Sequence, residues 1–241
     1  MTVKTITVFN NKGGVGKTTT TINLAYNLAN AGKKVLVIDA DAQENTTWFF
    51  KRLNSRTDFY KVMQFDTSIE KAIRRTDFEN LDIVPGSTAT ELIDGIDENV
   101  LKKKIDNINK NYDVIIIDCG PCVQMQTINA IKAADRIIVP IKPDKYSLIG
   151  LNKIVDTIEL VTDKSRAKAL LTNYTSNKNN NNLVAELIES GFNAYSSVIR
   201  YGRAADSSIT MRRPLARHKR NAGITEDYKT LTNEIIAELS L

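Results

Sequence analysis

A glycine-rich segment near the start of the chain has the residue types and spacing needed to bind phosphate. It follows an apolar run at residues 5–9, precedes a stretch with helical periodicity, and contains the sequence Gly16-Lys17-Thr18. Glycines let successive backbone N–H groups point inward, and a helix that begins there adds the positive end of its dipole. Lys17 can then reach the β- and γ-phosphates, and the Thr18 hydroxyl can take a Mg²⁺ position. The residues of this predicted nucleotide site are Lys12, Gly13, Gly14, Val15, Gly16, Lys17, Thr18 and Thr19.

The segment departs from the strict phosphate-binding pattern at one position and carries an extra lysine at the next. The first glycine of that pattern falls at Asn11, and asparagine is the residue besides glycine that best tolerates a left-handed backbone. Lys12 lies inside the loop, where it can reach a phosphate that Lys17 cannot, including one held by a partner chain. The plainer alternative, a solvated lysine in a turn, is open at this point.

Three aspartates follow apolar runs, at positions where the strands of a parallel sheet would end. Asp39 and Asp41 come after the second apolar run, and Asp118 ends a later one. Ligands of open parallel sheets bind at the carboxyl ends of the strands, and four apolar residues followed by Asp are typical of a strand that helps to hold Mg²⁺. We expect Thr18, Asp39 and Asp118 to hold the metal, although strands also commonly end in Asp for turn formation.

Strand-like and helix-like segments alternate along the chain, which predicts an α/β fold with a parallel sheet and crossover helices. The predicted strands cover residues 5–9, 34–38, 81–85, 112–118, 136–140, 167–171 and 196–200. The predicted helices cover residues 17–31, 98–109, 125–134, 147–161 and 224–239, with a short one near 68–74. We expect a single domain at 1–241, with a twisted, mostly parallel sheet and helices on both faces.

Length and composition are those of a globular protein with a sizeable core. Of 241 residues, 42% are hydrophobic and 25% are charged, and no apolar stretch approaches the length of a membrane span. No signal segment precedes the first strand, and two cysteines fit a reducing compartment. These features argue against a secreted disulfide scaffold and predict a cytoplasmic protein.

The segment Cys119-Gly120-Pro121-Cys122 has the sequence of a thioredoxin active site, and a strand end before a helix is where that motif lies. Thioredoxin-like chains are shorter, lack a phosphate-binding loop and usually carry a tryptophan just before the motif. Asp118 takes that place here, and Trp48 is the only tryptophan. We therefore favour a nucleotide-site strand over redox catalysis.

Basic residues gather before the last predicted helix, in a segment whose only acidic residue is Asp206. They are Arg200, Arg203, Arg212, Arg213, Arg217, Lys219 and Arg220. Such a cluster can bind DNA phosphates without reading sequence, and the plainer alternative is a solvated surface that pairs with acidic helices. The acidic residues of the last helix are Glu226, Asp227, Glu234 and Glu238. An anionic lipid surface would repel that helix, so we expect it to pack on the domain and expect no membrane binding.

The glycine-rich loop resembles the deviant Walker A motif of the ParA/MinD superfamily, whose members carry Lys-Gly-Gly-x-Gly-Lys-Thr. The resemblance implies that Lys12 crosses an ATP-bridged dimer to the partner's phosphates. Residues 37–47 are similar to the family's stretch after the second strand, with Ala42 in place of the usual proline. This match implies that Asp41 orients or deprotonates the attacking water and that Thr47 is a switch residue.

The resemblance also implies a P-loop NTPase-like fold and an ATPase that uses ATP and Mg²⁺. Lys12, Lys17 and Asp41 would then be the catalytic residues, and Asn173 would lie near the base. Gly120 departs from the family's Asp-x-Pro-Pro sequence after the Walker B strand.

Within that superfamily the chain is similar to the compact ParA proteins, which lack an N-terminal helix-turn-helix domain. This similarity implies a partition ATPase for plasmid or chromosomal DNA, acting as an ATP-bridged homodimer on non-specific DNA of the nucleoid. A ParB-like centromere-binding protein would stimulate hydrolysis and release the dimer. Two alternatives stay open, a ParA-like ATPase that positions a protein cargo and a MinD-type ATPase that works at a membrane.

Overall fold

Eight β-strands form the centre of the protein. The computed structural model describes residues 3–108, 112–176, 181, 185, 187 and 191–241, with residues 145–149 described by their backbone alone. The strands are β1 (Lys4–Val8), β2 (Val35–Ala40), β3 (Arg74–Arg75), β4 (Leu81–Val84), β5 (Val114–Cys119), β6 (Arg136–Ile141), β7 (Ala167–Tyr174) and β8 (Ala194–Arg200). They lie in the order β3-β4-β2-β5-β1-β6-β7-β8, and all pairs except β3 with β4 are parallel. The predicted α/β class and mostly parallel sheet are confirmed.

Helices cover both faces of this sheet. The α-helices in the described ranges are α1 (Lys17–Asn30), α2 (Asn45–Phe49), α3 (Phe59–Gln64), α4 (Val100–Asp106), α5 (Met125–Ala133), α6 (Lys145–Val161), α7 (Ala204–Thr210), α8 (Leu215–His218) and α9 (Gly223–Leu239). Helices α3 to α6 pack on one face, and α1, α2, α8 and α9 pack on the other. None of the helices that the structure describes is long and apolar enough to cross a membrane.

The inner strands are buried on both faces, which explains their continuous apolar sequence. In β5, Ile115 and Ile117 pack beneath α3 to α6, whereas Val114 and Ile116 pack beneath α1 and α9. Successive side chains of a strand point to opposite faces, so a strand covered on both sides cannot alternate apolar with polar residues. Each such side chain contributes about 2 kcal/mol through burial.

The acidic last helix packs on the domain, as expected. Ile224 and Tyr228 of α9 lie in the core. The Glu234 carboxylate accepts hydrogen bonds from the backbone N–H groups of Ser196 and Ser197, at 2.8 and 3.0 Å. These bonds satisfy donors of β8, a strand at the edge of the sheet that would otherwise expose them.

The sheet register places two predicted metal residues side by side. Asp39 of β2 and Asp118 of β5 are paired across neighbouring strands, at the carboxyl ends of both. The chain leaves β1 for the glycine-rich loop at the same edge, because β1 pairs with β5 up to Val8 opposite Asp118. Parallel pairing alone therefore brings the loop and the carboxylates together.

Candidate functional site

Two glycines in left-handed conformation shape the loop between β1 and α1. Gly14 has φ +67° and Gly16 has φ +89°, values that residues with a side chain disfavour. Because α1 begins at Lys17, its first backbone N–H groups face the loop. Asn11 does not have a positive φ, so the left-handed conformation that we allowed for there is not used. The loop thus curves like a phosphate cradle without a glycine at position 11.

Lys17 lies beneath this loop with its charge largely desolvated. Its ammonium donates a 2.9 Å hydrogen bond to the backbone carbonyl of Lys12, and the residue is only 8% exposed. Burial lowers the pKa of Lys17, and the nearby carboxylates of Asp118 and Asp41 oppose that effect. A neutral carbonyl is a weaker partner for an ammonium than an anionic phosphate oxygen. A phosphate oxygen that enters the loop would therefore replace the Lys12 carbonyl as the partner of Lys17.

Asp118 forms the floor of the site and is surrounded by threonine hydroxyls. Thr18 and Thr46 donate to its Oδ2 atom at 2.9 and 2.6 Å, and Thr21 donates to its Oδ1 atom at 3.1 Å. Complete burial raises the pKa of Asp118 to about 6, although these hydroxyls oppose the shift. A carboxylate beside a threonine hydroxyl supplies the oxygen ligands that Mg²⁺ prefers, so Thr18 and Asp118 fit the expected metal.

Asp39, the third expected metal residue, is fully buried one strand away. Its Oδ2 atom accepts hydrogen bonds from the backbone N–H and the hydroxyl of Thr47, at 2.8 and 2.6 Å, and its Oδ1 atom accepts from the backbone N–H of Asp41 at 3.2 Å. Burial raises the pKa of Asp39 to about 8, and the charge of Asp118 adds to the shift. These contacts tie the segment after β2 to the sheet, and a metal role for Asp39 stays a prediction.

Asp41 is held beside the chain segment that follows β5. Its Oδ1 atom accepts a 3.0 Å hydrogen bond from the backbone N–H of Gln43, and the residue is 8% exposed. A Cβ atom built on Gly120 would lie 3.0 Å from the same oxygen. Glycine at position 120, where the sequence departs from the family pattern, therefore leaves room for the Asp41 carboxylate.

A cavity of about 520 Å³ opens above these residues, a volume suited to a small-molecule ligand. The predicted residues that line it are Gly13, Gly14, Gly16, Lys17, Thr18, Thr19, Asp41 and Asn173. Val15 is buried below the loop, where its carbonyl accepts a 2.8 Å hydrogen bond from the Thr172 hydroxyl. The lining also includes Tyr201 and Ile224. The structure thus brings the loop, Asp41 and Asn173 to one cavity.

Lys12 extends toward α6, outside the lining of this cavity. A Cβ atom built on Gly150 would lie 3.0 Å from its Cε atom and 3.3 Å from its Nζ atom. Glycine at position 150 therefore accommodates the lysine side chain. In a single chain, Lys12 is placed against a helix and Lys17 against the loop, so the two lysines of the motif occupy different surroundings.

The basic residues before α9 fall into three groups. Four are exposed and make neither an ion pair nor a contact with an aromatic ring within the part of the chain that the structure describes, namely Arg203, Arg213, Lys219 and Arg220. Arg200 forms a two-pronged pair with Asp227 of α9, in which its Nε and Nη2 atoms donate at 2.8 and 2.7 Å. For Arg200 the expected pairing with an acidic helix therefore occurs.

The remaining two basic residues contact aromatic side chains. The guanidinium carbon of Arg212 lies 4.0 Å from the centroid of the Trp48 ring. Arg217 donates a 2.8 Å hydrogen bond from Nε to the hydroxyl of Tyr26. Through these contacts Arg212 and Arg217 join the basic segment to α2 and α1, the helices that supply Thr46 and Thr18 to the candidate site.

Comparison with known proteins decides the family. A family model described as an AAA domain matches residues 3–171. Sporulation initiation inhibitor protein Soj of Bacillus subtilis is 32% identical, over 97% of this chain and 98% of its own. Chromosome partitioning protein ParA of Myxococcus xanthus is 34% identical, over 78% of this chain and 71% of its own. This chain belongs to the ParA family.

Solved structures share the fold of this ParA-family protein. A plasmid partition protein of Borrelia burgdorferi bound to AMPPNP superposes with a TM-score of 0.86 at 22% identity, and the match covers 98% of this chain and 100% of that one. The cell division ATPase MinD of Pyrococcus furiosus superposes with a TM-score of 0.84 at 22% identity, with the same coverage. The predicted P-loop NTPase-like fold is confirmed.

Two residues of this ParA-family site were not found from the sequence. Lys142 follows β6 and lines the cavity, and its Nζ atom lies 3.8 Å from the position of a Cβ atom on Gly14. Asn10 braces the loop, because its side chain donates to the carbonyl of Pro140 at 2.7 Å and accepts from the backbone N–H of Lys12 at 2.8 Å. Both contacts join distant parts of the chain, so no local pattern pointed to them.

The two cysteines of this ParA-family protein differ in exposure. Cys119 is buried in β5, Cys122 is exposed in the following turn, and neither is in a disulfide. Burial raises the pKa of the Cys119 thiol well above its usual value, which disfavours the reactive thiolate. The absence of a redox role stays a prediction.

Proposed function

We propose that this ParA-family protein is an ATP-dependent DNA partition ATPase. The observation that carries the proposal is the cavity that joins the glycine-rich loop to Asp41, in which the lining residue Thr18 is hydrogen-bonded to the buried Asp118. Relatives named chromosome partitioning proteins support the biological role. ATP and Mg²⁺ are the proposed ligands, and structural neighbours bound to AMPPNP, or to ADP and magnesium, support them.

The proposed chemistry is transfer of the γ-phosphoryl group to water. Bound Mg²⁺ would screen the phosphate charge, and Thr18 and Asp118 are the residues that would hold it. Lys17 and the loop N–H groups stabilise the charge on the phosphates. Asp41 orients the water and takes its proton, while the water oxygen bonds to the γ-phosphorus and the bond to the β-phosphate oxygen breaks.

The proposal includes a homodimer that closes around two nucleotides. The position of Lys12 supports it, because this lysine rests on α6 and not in the cavity of its own chain. In the closed dimer each Lys12 would reach the phosphates of the partner chain. ATP then joins the two copies, and its hydrolysis separates them.

The dimer would bind DNA through its exposed basic residues. Arg203, Arg213, Lys219 and Arg220 are solvent-facing, so their charges are available to phosphates. Each phosphate contact releases counterions and adds about 0.9 to the logarithmic salt slope. Two patches on one dimer act as a bivalent ligand, so dimerisation raises DNA affinity steeply without any new kind of contact.

A ParB-like centromere-binding protein is the proposed partner. It would stimulate Asp41-dependent hydrolysis on the nucleoid and release the dimer from DNA. Repeated release behind a moving cargo would position plasmid or chromosomal DNA in the cytoplasm.

A co-sedimentation experiment tests this function. The protein is mixed with random-sequence duplex DNA or with anionic phospholipid vesicles, each with AMPPNP and Mg²⁺, with ADP and Mg²⁺, or without nucleotide. We expect much stronger DNA sedimentation with AMPPNP than with ADP or without nucleotide, and no sedimentation with vesicles, and Lys17→Ala should remove the increase caused by AMPPNP. Nucleotide-dependent sedimentation with vesicles but not DNA would replace this function with the membrane-associated alternative.

A further inference from the structure

Trp48 and Arg212 connect the nucleotide site to the basic surface by direct contact. The guanidinium carbon of Arg212 lies 4.0 Å from the Trp48 ring centroid, which is close for a cation over an aromatic face. Trp48 belongs to α2, and Arg212 follows the end of α7. Trp48 is also the only tryptophan of the chain, so tryptophan fluorescence comes from this residue alone.

The backbone at Arg212 has a conformation that arginine rarely adopts. Its φ is +50°, and the turn after α7 closes through hydrogen bonds from the Arg212 N–H to the Ile209 carbonyl and from the Arg213 N–H to the Ser208 carbonyl, at 2.9 and 3.0 Å. Helices that end in this way usually carry glycine at the left-handed position. An arginine occupies it here, and that arginine is the residue that stacks on Trp48.

Helix α2, which carries Trp48, is hydrogen-bonded to the carboxylates of Asp118 and Asp39. Thr46 donates its hydroxyl to Asp118 at 2.6 Å, and Thr47 donates to Asp39 at 2.6 Å. The Asp118 oxygen that accepts from Thr46 also accepts from Thr18, the proposed metal residue. A change in the hydrogen bonds of this Asp118 oxygen therefore changes a contact that holds α2 in place.

There is space for α2 to move. A cavity of about 550 Å³ lies between this helix and the start of α1, and its lining includes Thr18, Asn45, Trp48 and Ile209. Trp48 is only partly buried and lines this cavity, so a small shift at its position changes its contact with Arg212 while Phe49 stays in the core.

We propose that the Trp48–Arg212 stack couples nucleotide binding to DNA binding. In the nucleotide-free chain the stack holds Arg212 on the indole. When Asp118 engages the magnesium nucleotide, its hydrogen bond from Thr46 is lost, α2 shifts, and Arg212 is freed to contact a DNA phosphate. Arg212 thus contributes to DNA binding only in the nucleotide-bound state. This inference rests on the proposed function and adds the residues through which its two sites communicate.

Tryptophan fluorescence tests the first half of this mechanism, with no DNA present. Adding AMPPNP and Mg²⁺ to the wild type should change the emission of Trp48 and increase its quenching by acrylamide. Arg212→Gly should show the increased quenching already without nucleotide, and glycine suits the left-handed backbone, so the turn is kept. Arg213→Gln, the matched control, should behave as the wild type. Identical quenching of the wild type with and without nucleotide would contradict the release of Arg212.

DNA affinity tests the second half. For the wild type, AMPPNP should raise the affinity for random-sequence DNA about tenfold or more. Arg212→Gly should lower only the affinity of the nucleotide-bound state, about threefold to tenfold, whereas Arg213→Gln should lower both affinities alike. Trp48→Leu should raise the DNA affinity of the nucleotide-free state. Trp48→Phe should retain part of the wild-type ratio between the DNA affinities with and without AMPPNP.

The outcomes separate this inference from the proposed function. If nucleotide does not alter DNA binding by the wild type, the proposed function fails and the coupling fails with it. If the wild type responds but Trp48→Leu and Arg212→Gly keep its full ratio of affinities, only the coupling is wrong. Because Arg212→Gly relieves backbone strain, it provides the answer even if Trp48→Leu folds poorly.

Discussion

The Cα atom of Gly120 lies so close to the Asp41 carboxylate that a Cβ atom there would be 3.0 Å from Oδ1. Asp41 is the residue that we propose to orient the attacking water. Gly120 directly follows β5, the strand that carries Asp118. The position of the Asp41 carboxylate therefore depends on the absence of a side chain at 120.

We predict that Gly120→Ala lowers kcat about tenfold or more with little change in nucleotide affinity. The methyl group would displace Asp41, and small misplacements of a catalytic group cost large factors in rate. Steady-state hydrolysis and calorimetric AMPPNP binding measure the two effects, with Asp41→Asn for comparison. Full turnover in both variants would remove Asp41 from the mechanism.

Asp118 gives a prediction about pH. Its pKa is about 6 in the folded protein and near 4 when unfolded, so the folded state binds more protons between these values. Its contribution to stability is therefore fully present below about pH 4 and is lost as pH rises through about 6. Asp118→Asn can keep the hydrogen bonds, because its amide oxygen accepts from Thr18 and Thr46 while its N–H donates to Thr21.

Relative to the wild type, nucleotide-free Asp118→Asn should therefore become more stable as pH rises from about 4 to 6 and keep that gain at pH 8. Urea unfolding at about pH 4, 5 and 6, and at about pH 8 above the window, measures the difference. AMPPNP with Mg²⁺ should stabilise the wild type at pH 8 and have little effect on the variant. A stability difference that does not vary with pH would contradict the shifted pKa.

Lys142 gives a prediction that the sequence alone did not contain. Its ammonium lines the cavity beside Gly14, and it makes no ion pair with any residue that the structure describes. Lys142→Gln should weaken nucleotide binding about tenfold, the usual effect of losing one charge-assisted contact. Calorimetry measures it, and Lys33→Gln, after the far end of α1, is the control. Equal affinities for all three proteins would show that Lys142 does not contact the nucleotide.

Two arginines of the basic segment should differ in their effect on DNA binding. Arg220 is exposed, whereas Arg200 is paired with Asp227. Arg220→Gln should reduce the logarithmic salt slope of DNA binding by about one for each copy that contacts DNA, and Arg200→Gln should leave it nearly unchanged. A filter-binding salt titration with AMPPNP present measures both slopes. Equal losses of slope would show that the Asp227 pair does not withhold Arg200 from DNA.

The sequence predicted the sheet and the nucleotide loop because both follow from local patterns. The apolar runs at β1, β2, β5 and β6 are buried on both faces, and the glycines lie where the chain turns sharply. Within the described residues of the helix expected at 98–109, the structure has a helix at Val100–Asp106, and α2, α3, α7 and α8 were not predicted. Those helices are too short to be stable in isolation, so their existence depends on tertiary contacts.

Contacts between distant residues account for what the sequence did not reveal. The stack of Arg212 on Trp48 and the position of Lys142 beside Gly14 depend on how loops meet above the sheet. For the basic cluster, residue type predicted the charges but not which of them are free to bind DNA phosphates. Arg200 has a carboxylate partner, whereas its neighbour Arg203 has no ion pair among the described residues.

The most direct test of the account is the mass of the protein in solution. Light scattering should give one chain of 26.9 kDa without nucleotide and twice that mass with AMPPNP and Mg²⁺, while Lys17→Ala should stay at the mass of one chain under both conditions. A wild-type mass that is the same with and without AMPPNP and Mg²⁺ would contradict the claim that the nucleotide joins two copies of this chain.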